Sequence, residues 1–126
     1  MPRGVDVYEI NGPFFFGAAE TFKDTLARVA GKPKVLILRM RRVPAIDATG
    51  LHTLKDVVER SRRDGTIVLL CEVQEQPLQA LQRSVLIEEI GEEHILPTLE
   101  AAIARASEEL EARRLLGTSG QMPRIA

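Results

Sequence analysis

Apolar positions along this chain fall into two kinds of block that alternate. Val5 to Ile10 reads as a strand. Lys34 to Met40 is a second, and its unbroken centre Val35-Leu36-Ile37-Leu38 has the pattern of a strand covered on both faces. Thr66 to Cys71, with Ile67-Val68-Leu69-Leu70 inside it, is another of the same kind. Between these lie stretches at helical spacing. Ala18, Phe22, Leu26 and Val29 make one stripe, and Leu51, Leu54, Val58 and Ser61 make a second. Leu78 and Leu81 follow Gln76-Pro77, where proline suits a first turn. Leu86, Ile87 and Ile90 form a short apolar segment, and Leu99, Ile103, Ala106 and Leu110 line a last helix opened by Pro97.

Glycine and proline punctuate these blocks. Asn11-Gly12-Pro13 turns the chain after the first strand, and Phe14-Phe15-Phe16 is expected as a short second strand before Gly17. In that strand the three rings alternate faces, so two enter the core and the third packs under a helix or meets another protein. Gly31-Lys32-Pro33 ends the first helix, Asp64-Gly65 leads into a strand, and Gly91 stops the short apolar segment. Strands alternating with helices give an α/β fold on one central mixed sheet of four to five strands, flanked by four to five helices. The pattern runs to about residue 116; from Gly117 to Ala126 none remains, and a disordered tail is expected there.

Composition narrows the function classes. With 126 residues, 44% hydrophobic and 28% charged, the chain has the size and make-up of one globular domain that needs no metal or disulfide to fold. A net charge of -1 gives no reason to propose a nucleic-acid partner. Cys71 is the single cysteine and closes an apolar run, so it reads as a buried, inert thiol. No stretch approaches the ~18 apolar residues of a membrane span, and the piece as given reads as soluble.

The chemistry-bearing stretch is Ile46-Asp47-Ala48-Thr49-Gly50-Leu51, between a buried strand and an amphipathic helix. A hydroxyl and a carboxylate stand there at a helix start, where free N–H groups and the dipole favour negative charge. Thr49 has three readings: helix cap, phosphoacceptor, or contact to an anion or nucleotide. Asp47 competes for the cap or joins a partner-binding surface. Arg41 and Arg42, with Arg39, are the basis for a nucleotide or phosphate reading beside Asp47, Ala48, Thr49, Gly50 and His52. His52 and His94 lack accompanying ligand spacing, so no metal or other cofactor is expected. No catalytic set is recognisable, and an enzyme is not expected.

The order of strand, Gly-Pro, aromatic segment, helix, buried strand and Asp-Ala-Thr-Gly resembles the STAS domain. That domain is shared by bacterial anti-sigma-factor antagonists and the cytoplasmic C-termini of SulP anion transporters. Ile10 to Ala19, Arg41 to Gly50 and Gly91 to Ile95 look most like the transporter branch. The resemblance implies a non-catalytic regulatory and interaction domain on the cytoplasmic side of the inner membrane. Its partners would be the membrane part of the same polypeptide and a cytoplasmic protein, while a nucleotide partner rests on Thr49 and the arginines alone. The attached transporter would move an anion such as sulfate, bicarbonate or a dicarboxylate. In the antagonist branch a serine precedes the glycine and is phosphorylated by a partner kinase; Thr49 stands at that position. A free-standing antagonist switched at Thr49 is the alternative.

Overall fold

A computed structural model of the chain describes residues 2–28 and 31–121. The chain runs β1 (Val5–Asn11), α1 (Phe16–Arg28), β2 (Val35–Arg42), α2 (Ala48–Arg63), β3 (Ile67–Cys71), α3 (Glu75–Gln82), α4 (Leu86–Ile90), β4 (Ile95–Leu96) and α5 (Leu99–Gln121), with a 3-10 turn at Glu92–His94. The strands form one sheet in the order β1-β2-β3-β4, so each crossover steps one place in the same direction. Right-handed crossovers of that kind put their helices on one face. The packing agrees. Leu36, Leu38, Val68 and Leu70 share a core with Ala19, Leu54, Val58, Leu81 and Leu86 from α1 to α4.

The other face carries Val5, Val35, Ile37, Leu69 and Cys71, and α5 covers it with Ala102 and Ala106. Both alanines are fully buried. Their small side chains let the helix lie close over β2 and β3, while Leu99, Ile103 and Leu110 pack beside them. Thr98 starts this helix by accepting a hydrogen bond at Oγ1 from Ala101 N, at 3.0 Å. Among the described residues, no helix is long and apolar enough to cross a membrane.

The α/β class and the run of helices are as the pattern predicts, but every strand pairing is parallel and the sheet is not mixed. The difference comes from the aromatic segment. Gly12, at φ +82°, donates its N–H to Arg42 O at 2.9 Å, so the chain follows β2 past the end of β1 and does not fold back. Only Phe14 joins the sheet, as a single parallel bridge to Ile46, before α1 begins at Phe16. The fourth strand is instead Ile95–Leu96, at the opposite edge.

In α1 the inward position is Ala19, fully buried, where the pattern pointed to Ala18, which is exposed; Phe22 and Leu26 pack on the core as expected. Val29 lies outside the described residues. α5 takes in residues 117–121 of the expected tail, and residues 122–126 lie outside the described residues.

Candidate functional site

The β2–α2 loop is built around a helix start two residues earlier than a cap at Thr49 would require. Because α2 begins at Ala48, Asp47 is its cap, in extended conformation with its Oδ1 accepting from Gly50 N at 2.8 Å. Thr49 therefore sits inside the first turn, exposed, and its hydroxyl makes no hydrogen bond among the described residues. Ala48 and His52 are exposed on the same first turns, His52 within 3.7 Å of Asp56 one turn on.

Gly50 faces the other way. A Cβ built on it would stand 2.0 Å from Phe14 O and 2.7 Å from Ile46 Cγ1. The residue is thus a contact point between the first turn of α2 and the Phe14–Ile46 bridge. Phe14 N donates to Ala45 O at 2.9 Å, and Phe14 itself is fully buried with its ring edge-on to Phe22, centroids 5.6 Å apart. This bridge sets the N-termini of α1 and α2 side by side. Phe15, at the entry to α1, is 44% exposed beside them.

Sequence reasoning missed Gln74 and Gln76. The Gln76 amide clamps the backbone of Ile46: its Oε1 accepts from Ile46 N at 2.8 Å and its Nε2 donates to Ile46 O at 3.2 Å. Gln74 Nε2 donates to Arg41 O at 2.9 Å. The two glutamines fasten the β2–α2 segment to the start of α3. A glutamine at the cap or in the first turn of a helix carries no periodic signal, so nothing in the sequence marks this role.

The arginines do not gather as a vacant anion site. The β1–β2 register slips after Glu9, with Glu9 opposite Arg39 and Asn11 opposite Arg42. The extra residue lets Arg41 and Arg42 both reach the Glu9 carboxylate, at 3.0 and 3.3 Å. Arg39 pairs with Glu72 and lies 3.9 Å from Glu9. The hydrogen bond from Arg39 holds the Glu72 carboxyl below the usual carboxylate range. Glu72 adopts a left-handed φ of +56°, unusual for a non-glycine residue, as the chain leaves β3. Its neighbour Cys71 is buried, and burial with the adjacent Glu72 charge pushes its thiol up to about 11. Such a thiol is protonated at neutral pH and is a poor nucleophile. Among the described residues, no group of three or more His, Cys, Asp or Glu is placed to hold a metal ion.

Residues 2–102 match the STAS domain family. The chain belongs to that family. The STAS domain has a solved counterpart in a sulfate transporter family protein from Wolinella succinogenes, 48% identical, with a TM-score of 0.81 over 87% of this chain and 90% of that one. The STAS domain of a SulP transporter from Vibrio cholerae is 36% identical, with a TM-score of 0.77 over 89% of this chain and 88% of that one. A Bacillus subtilis (strain 168) protein named as a sulfate transporter, YvdB, is 33% identical over 71% of this chain. The chain spans less than a fifth of the length of the curated relatives it matches, 17% in YvdB and 19% in a Mycobacterium tuberculosis relative. In this STAS domain the Asp-Ala-Thr-Gly run divides its work: Asp47 and Gly50 hold the loop, while Ala48 and Thr49 face outward.

Proposed function

We propose that this STAS domain is the cytoplasmic regulatory and interaction domain of a SulP-type anion transporter, working by binding and not by catalysis. The observation that carries this is the 48% identity with the domain from the Wolinella succinogenes sulfate transporter family protein, of whose chain 90% is covered. The domain's contacts to its membrane part and to cytoplasmic proteins run over the outward side of the β2–α2 loop: Ala48, Thr49 and His52, with Phe15 beside them. Phe15 supplies an apolar contact of the kind that anchors a partner. Substrate selection among sulfate, bicarbonate and dicarboxylates belongs to the membrane part. A fractionation blot of the source cells with an antibody to this domain tests the reading. A band much larger than 14.0 kDa in the membrane fraction supports it; a soluble band of that size overturns it.

One observation favours a second reading, a free-standing anti-sigma-factor antagonist switched at Thr49. The capping bond is made by Asp47, so the Thr49 hydroxyl is exposed at a helix N-terminus with no structural duty. Phosphate there gains from the helix dipole. Incubation with a kinase-type anti-sigma factor and ATP, followed by mass analysis, tests it. Stoichiometric phosphate lost in Thr49→Ala supports the switch, and absence of phosphate refutes it. Nucleotide contact by Arg41 and Arg42 is the weaker alternative, because Glu9 already pairs with both.

A further inference from the structure

At the opposite end of the sheet from Thr49, α1 and the C-terminal half of α2 stand apart over the starts of β1 and β2. Between them opens a cavity of about 260 Å³. That is just below the roughly 300–1,000 Å³ of pockets for drug-sized ligands, a size suited to a small metabolite. Its floor is Asp6, Tyr8 and Leu36, and Leu26 and Val57 form its walls. The far side is pinned, because Thr66 Oγ1 donates to Pro33 O at 2.6 Å and Ile67 N donates to Lys34 O at 2.9 Å.

The lining contains an anomaly. Asp6 pairs in register with Leu36 and shares the inward face of β1 with Tyr8 and Ile10. Alternation calls for an apolar side chain at that position. Asp6 is half-buried and makes no hydrogen bond or ion pair among the described residues. A cation seated in the cavity would give this carboxylate the partner that the described residues do not. The other charges on the rim are largely spent. Lys23 pairs with Asp56 at 3.3 Å and Lys32 with Asp64 at 3.1 Å. Arg60 remains, lining the same cavity with no ion pair among the described residues.

An acid on the floor, a base on the rim and aliphatic walls between them match a molecule with the opposite charges at two ends of an apolar body. We propose that this cavity binds a small zwitterion of the ω-amino-acid class, its terminal ammonium on Asp6 and its carboxylate on Arg60. The proposal is independent of the transporter reading, and the fractionation blot does not bear on it.

The test is a nitrogen–proton correlation NMR titration of the 126-residue chain with three probes of matched apolar body. 5-Aminopentanoate carries both charges, pentanoate lacks the ammonium and butylamine lacks the carboxylate. Saturable shifts at Tyr8, Leu26 and Val57 are expected with 5-aminopentanoate, and each truncated probe should bind about tenfold or more weakly. Asp6→Asn should remove the zwitterion's advantage over pentanoate, and Arg60→Gln its advantage over the amine. The same spectra report whether each variant folds. No saturable shift with any probe, equal binding of all three, or 5-aminopentanoate binding unchanged by both variants overturns the proposal.

Discussion

Replacing Gly50 by alanine isolates what the Asp-Ala-Thr-Gly run does for the fold. In an unconstrained helix the change is stabilising by about 1 kcal/mol, since alanine is the better helix former. Here the new Cβ would lie 2.0 Å from Phe14 O, 2.7 Å from Ile46 Cγ1 and 3.2 Å from Phe14 C. Two of those three atoms are backbone, on a residue whose N–H is bonded to Ala45 O and whose ring is fully buried against Phe22. A rotamer change cannot relieve the overlap; either α2 or the bridge must move. Overpacking of this sort costs about 3 kcal/mol. Set against the propensity gain of about 1 kcal/mol, the expected net loss is about 2 kcal/mol. In urea unfolding this lowers the midpoint by about 1 M with the slope unchanged. A thermal scan should show a drop of about 8 °C. A Gly50→Ala chain as stable as the parent, or more so, would refute the close approach of α2 to Phe14.

Asp47→Ala should cost about 1 kcal/mol in the same unfolding assay, while Thr49→Ala stays within about 0.5 kcal/mol; the reverse order would return the cap to Thr49. Gln76→Ala strips the Ile46 N–H of its partner and should cost about 1–3 kcal/mol by urea unfolding. The Arg39 bond lowers the folded-state pKa of Glu72, so its contribution is full above the unfolded carboxylate value of about 4.3 and is lost as pH falls through the lowered folded value. The stability gap between the parent and Glu72→Gln should therefore be open at neutral pH and close on acidification; a gap independent of pH would contradict the pairing. With its thiol raised to about 11, Cys71 should resist iodoacetamide at pH 8 until urea unfolds the chain, and rapid alkylation of the native domain would contradict its burial.

The strands and helices that bury most were the most legible. Val35-Leu36-Ile37-Leu38 and Val68-Leu69-Leu70 read as doubly covered strands because α1 to α4 and α5 cover both sheet faces. β4 was invisible, since Ile95 and Leu96 are only two residues and become a strand through pairing with Leu70 and Cys71. The parallel sheet was equally hidden. Gly12-Pro13 suits a hairpin turn, and it takes the long-range bonds from Gly12 to Arg42 and from Phe14 to Ala45 to show that the chain continues forward. At the candidate site, sequence placed the loop correctly but not its bonds. Asp47 and Thr49 are both competent caps, and the choice is made by where α2 starts, which the Phe14 and Gln76 contacts fix from elsewhere in the chain.

That division of labour bears on how such a loop can change its surface without losing its fold. Asp47, Gly50 and Gln76 carry the hydrogen bonds and the close contact, and each is engaged with backbone of the loop or of the Phe14–Ile46 bridge. Ala48, Thr49, His52 and Phe15 carry none of the loop's internal bonds and face outward. Chemistry at Thr49 would therefore alter what a partner meets while leaving the Phe14–Ile46 bridge in place. Its surroundings would also keep an added phosphate available. Arg41 and Arg42, the nearest basic pair in sequence, are both engaged by Glu9. Glu9 is in turn held by the β1–β2 register, so releasing those arginines toward Thr49 would mean breaking a pairing built into the sheet. A negative charge on Thr49 would remain at the surface, supported by the helix N-terminus beneath it and open to whatever docks there.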